Sequence, residues 1–93
     1  SEAAPRHGAG TVSRAVAQRI AALAPQDPQR ARKAVRIYLE AELAREFGAK
    51  LLNDPQFPAL VDAVQERMEG DAEMARAVEA LARLLLAGQV KAA

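Results

Sequence analysis

Ninety-three residues make one domain at most, and with no cysteine and a single histidine (His7) they exclude a disulfide framework and a thiolate or histidine-rich metal centre. About half of the residues are apolar, but nearly half of those are alanine, which builds helix well and buries little surface. A net charge of +1 excludes a strongly basic nucleic-acid binder, yet the charge is unevenly spread: seven basic and two acidic residues up to Arg36, six basic and ten acidic after it.

Residues 1–10 mix Ala, Pro, Gly, Arg and His without periodicity and read as a disordered leader with no apolar signal core. The first helix is expected over 11–24, capped by Thr11 or Ser13 and ended by Pro25. Val12, Val16, Ile20 and Leu23 recur at helical spacing and give it one apolar stripe.

Asp27-Pro28 is a strong start signal, since Asp caps free amides and Pro has no amide to satisfy in the first turn. The second helix is expected over 28–52. Val35, Leu39 and Leu43 line one side and Ile37, Ala41 and Ala44 another, so this helix should lie at the centre of a bundle with Leu39 and Leu43 buried. Gly48 could end it, but Leu51 continues the four-residue step of Leu43 and Phe47 and favours continuation to Leu52.

Asp54-Pro55 repeats the start signal, and a third helix is expected over 55–69 with a stripe of Phe57, Leu60, Val61, Val64 and Met68. Gly70 ends it. Asp71 caps a fourth helix over 72–87, with Met74, Val78, Leu81 and Leu85 facing the core, and 89–93 as a frayed tail. Asp27-Pro28-Gln29 and Asp54-Pro55-Gln56 look alike, and two independent helix starts account for that. The expectation is a small all-α four-helix bundle forming a single helical domain over 11–88.

Catalytic groupings are missing. Ser1, Thr11 and Ser13 lack a neighbouring base, and Gly8-Ala9-Gly10 lacks the strand and the further glycines of a phosphate cradle. Glu42 and Glu46 stand four apart, a spacing compatible with an acid pair but more simply neutralised by Arg45, Lys50 or an arginine of the first helix. No enzyme activity, cofactor or metal is therefore expected.

Two features stand out. Arg30, Arg32, Lys33 and Arg36 crowd the start of the second helix, where the helix dipole favours anions. They form a candidate face for an acidic partner or a phosphate backbone, or an ordinary solvated face. The fourth helix carries a second stripe, Ala75, Ala82 and Leu86, beside its core stripe. With Val12 and Val16 of the first helix it forms a candidate oligomer interface, either within the domain or between chains.

The leading expectation is a non-enzymatic protein–protein interaction module, an adaptor, assembly subunit or small chaperone that self-associates as a homodimer. The alternative is a nucleic-acid-binding regulator using the basic face, which the absent aromatic platform and the exposed Glu73 and Glu79 disfavour. No apolar run reaches the roughly 20 residues of a membrane span. Composition points to the cytoplasm of a GC-rich bacterium, and the overall make-up resembles many bacterial accessory proteins without sharing a motif with them.

Overall fold

The computed structural model describes residues 11–88 and 91–92. Among these the chain forms four α-helices: α1 (Arg14–Ala21), α2 (Arg30–Phe47), α3 (Phe57–Glu69) and α4 (Ala72–Leu86). A 3-10 helix, Ala49–Asn53, joins α2 to α3. The all-α bundle expected from periodicity is the fold observed. The leader and residues 89, 90 and 93 of the tail lie outside the described residues.

A side-chain cap starts α1 and α4, and an Asp-anchored turn leads into α2 and α3. Ser13 caps α1, its Oγ accepting from the Val16 amide at 3.1 Å. Asp71 caps α4 by accepting from the Glu73 and Met74 amides. The two Asp-Pro-Gln segments fold the same way: Asp27 Oδ1 accepts from the Gln29 amide and Asp54 Oδ1 from the Gln56 amide, each at 2.8 Å. In both, the amide three residues on then donates to the Asp carbonyl, Arg30 to Asp27 and Phe57 to Asp54. The Asp-Pro-Gln is thus a capped turn before the helix, and α2 and α3 begin two residues later than the proline rule places them.

α2 is the central helix and packs against α1, α3 and α4. The main core joins Val12, Val16 and Ile20 to Ala34, Val35 and Ile37 of α2 and Ala82 and Leu85 of α4. Phe57 and Val61 of α3 are buried outside that cluster. Leu39 and Leu43, expected at the centre, are only half-buried, and Ala34, Val35 and Ile37 hold that place. Leu39 packs at the edge of the main core, and Leu43 lies a turn further toward the C-terminal end of α2, outside it. Leu60 and Met74 were also expected in core stripes and are exposed.

α2 ends at Phe47 rather than Leu52. Gly48 adopts φ 99° and ψ 149°, a conformation that residues with a Cβ rarely reach. Arg36 pairs with Asp62 and Arg32 with Glu69, so α3 runs antiparallel to α2. Continuing to Leu52 would carry the chain about 7–8 Å further along the α2 axis, away from that docking level. The chain must turn back, and Gly48 is where it does.

Two short departures from the helical expectation occur at the ends. Thr11 and Val12, expected to open the first helix, pair in parallel with Lys91 and Ala92, expected in a frayed tail. α1 is also shorter than expected, stopping at Ala21 before the Leu23–Gln29 connection. No described helix is long and apolar enough to cross a membrane.

Candidate functional site

The basic start of α2 is brought against carboxylates that lie far away in sequence. Arg32 forms a forked pair with Glu69 of α3, Nε to Oε2 at 2.6 Å and Nη2 to Oε1 at 3.3 Å. This hydrogen bond holds the Arg32 guanidinium pKa above its ordinary value. Lys33 donates to Asp27 in the preceding turn. Arg36 donates to Asp62, to Gln65 Oε1 at 3.3 Å and to the Pro58 carbonyl at 3.2 Å, and it pairs with Glu40 at 3.4 Å. Glu40 also meets Arg19 of α1 at 3.5 Å. The uneven charge of the sequence is thus partly internal, with Arg32 and Arg36 of the basic half pairing with acidic α3.

Arg30 differs. It is half-buried, and its Nε has no hydrogen-bond partner among the described residues. Of the four candidate cations it is the one without an ion pair among those residues. The other three oppose the α2 dipole but gain carboxylates, which offsets the conflict.

Gln65 is the residue that sequence reasoning missed. It is a polar side chain only 2% exposed, and its Nε2 donates to the Arg32 carbonyl at 3.1 Å while its Oε1 accepts from Arg36. A buried amide with both ends engaged fixes register between two helices. The signal was present: Phe57, Val61 and Gln65 step by four on the buried face of α3. Glu42, from the candidate acid pair, is taken by Arg45, and Glu46 is exposed.

The candidate oligomer stripe is partly covered within the chain. Val12, Val16 and Ala82 are buried, Ala75 and Leu86 half-buried. Leu86 lines a small crevice of about 100 Å³ with Val12, Ala17 and Ile20. Both alternatives for this stripe were open in the sequence; within the chain Leu86 lies beside α1, while Ala75 and Ala82 share a second crevice with Ala31 and Val35 of α2 and Gln65 of α3.

Large apolar side chains are left in water elsewhere, at the corner where α2 gives way to α3. Phe47 is 73% exposed, Leu52 51% and Leu60 43%. Beside them an open groove of about 380 Å³ is lined by Leu51, Asp54, Gln56, Phe57, Ala59 and Leu60. Phe47 directly precedes Gly48, and Leu52 lies within the 3-10 helix that follows it, next in sequence to Leu51 of the groove wall.

The turn that opens α2 has a consequence for acid stability. The Lys33 ammonium, then the Gln29 amide, lower the Asp27 pKa from its usual carboxylate value. A lowered carboxylate pKa stabilises the fold above the unfolded value, and that contribution disappears as pH falls through the folded one. Asp27→Asn is expected to lower stability at neutral pH, with the gap to the parent closing below about pH 4. Urea midpoints at stepped pH check this, and a gap unchanged down to about pH 2 would contradict it.

No family model matches this chain, and no curated protein or solved structure is similar to it at a significant level.

Proposed function

We propose that this chain is a non-enzymatic protein–protein interaction module that self-associates, in the manner of a small cytoplasmic accessory protein. The observation that carries this reading is the apolar corner. Phe47, Leu52 and Leu60 together leave on the order of 300 Å² of apolar surface in water, the lower end of the size of the largest patch on a typical monomer, which is often functional. A short, alanine-rich chain gains from covering such surface, because its own core is small. The first-choice interface of the sequence, centred on Leu86, supports the reading less, since Leu86 is half-buried beside α1.

The nucleic-acid reading stands second. Arg32, Lys33 and Arg36 would have to leave their carboxylates to reach phosphates, and only Arg30 lacks such a partner among the described residues. Salt-sensitive retention on heparin would favour it.

The test is sedimentation over a range of micromolar concentrations. The parent mass is expected to rise with concentration. Phe47→Ser should leave folding within about 0.5 kcal/mol, as exposed substitutions do, while weakening association about tenfold or more. A parent that stays monomeric throughout would overturn the self-association reading.

A further inference from the structure

We propose that two copies of this chain associate by exchanging their α3–α4 hairpins, with α2 running straight through Gly48 in the exchanged form. The proposal rests on the self-association reading and specifies how it is achieved.

The first observation is a broken stripe. Leu43, Phe47 and Leu51 are four residues apart, and on a continuous helix they would share one face. In the folded chain the stripe is interrupted, with Phe47 73% exposed and Leu43 and Leu51 half-buried. The interruption rests on one residue. Gly48 takes φ +99°, and a Cβ there would meet nothing within 4 Å, so backbone conformation and not crowding decides its identity. The residues after it are already wound as a 3-10 helix, Ala49–Asn53. Rotation at Gly48 and a small loosening of that turn would extend α2 by about a turn and a half.

The second observation is area. A stable interface buries about 800 Å² on each partner, whereas the exposed apolar corner offers on the order of 300 Å². Rigid pairing of two corners falls short. Hairpin exchange supplies the difference mainly from contacts the closed chain already makes, because the seam between α2 and α3–α4 becomes a seam between chains. That seam contains the Arg36–Asp62 and Arg32–Glu69 pairs and the buried amide of Gln65. Straightening also carries α3 away from its own α2, as the antiparallel docking demands, so the released hairpin must find an equivalent site. The only equivalent site is on a second copy, and the two extended α2 helices then cover each other's Leu43, Phe47 and Leu51.

The experiment uses charge exchange across the seam. The Arg36→Asp chain sets two carboxylates against each other when closed, and the Asp62→Arg chain sets two guanidiniums against each other. Hairpin exchange between the two restores one reversed pair and one native pair. Unfolded and refolded together at equal concentration, they are expected to form a one-to-one heterodimer, detected by native mass spectrometry, in large excess over either homodimer. In the parent background, Gly48→Ala should raise the dimer association constant about tenfold or more, since alanine disfavours the turn and favours helix. A statistical mixture of dimers, or a mixture of monomers alone, would overturn the exchange. So would a Gly48→Ala chain no more dimeric than the parent. A parent dimer abolished by Phe47→Ser but giving statistical mixing leaves the self-association reading intact and removes only the exchange. A parent and Gly48→Ala chain that are both monomeric remove both.

Discussion

Phe57→Ala is expected to lower the free energy of unfolding by about 3–5 kcal/mol, the range for truncating a buried aromatic side chain. Phe57 is the first residue of α3 and only 5% exposed, although its neighbours Gln56, Pro58, Ala59 and Leu60 are all exposed. It lies outside the main α1–α2–α4 core, so no second layer of large side chains can collapse into the space it leaves. It also forms part of the wall of the open groove at the α2–α3 corner. Truncation would therefore join the vacated volume to solvent and remove the anchor that seats the start of α3. Small domains unfold at a cost of about 5–15 kcal/mol, so this single change is expected to populate unfolded chain at ordinary temperature. Urea denaturation checks it. A loss under about 1 kcal/mol would mean that α3 is held by its ion pairs and Gln65 rather than by this side chain.

The sequence carried most of the helical architecture because each helix here has a local cause. Ser13 and Asp71 act as caps where read, and Val16, Ile20, Val61 and Leu85 fall on buried faces where periodicity puts them. What periodicity misjudged has a common origin. Leu39, Leu43, Leu60 and Met74 carry apolar side chains at helical spacing, but whether a stripe is covered depends on how far the neighbouring helices reach. The turn at Gly48 sets that reach, and it is required by antiparallel docking of α3, a long-range fact invisible in a local window. The basic face was legible as a cluster but not as ion pairs, since Arg32–Glu69 and Arg36–Asp62 join residues 37 and 26 apart. Gln65 was hidden by its chemistry, because a polar residue on an apolar arc reads as an interruption until its partners are seen.

Arg36→Met should cost about 2–4 kcal/mol, and Arg32→Met under about 1 kcal/mol, although both remove a cation paired across the same seam. Methionine keeps the apolar stem and deletes the guanidinium, so the comparison isolates the charged head. The Arg32–Glu69 pair is 39% and 44% exposed, and water replaces most of what it loses. The Arg36 side chain is only 26% exposed and serves four acceptors on two helices: Asp62, Gln65, the Pro58 carbonyl and Glu40. Its removal leaves the Gln65 Oε1 buried without a donor, and an unsatisfied buried acceptor costs about 1–3 kcal/mol by itself. Ionic strength separates the two further. Salt near about 1 M shortens the screening length to roughly 3 Å, which should erase the small Arg32 effect and leave most of the Arg36 effect. Urea midpoints of both variants at low and high salt measure this directly. The opposite pattern, with Arg36→Met as stable as the parent, would mean that the α2 cations are loosely held and free for a phosphate or an acidic partner. A large, salt-resistant loss instead identifies Arg36 as the residue that ties α3 to α2, the contact on which both the turn at Gly48 and the exposed corner depend.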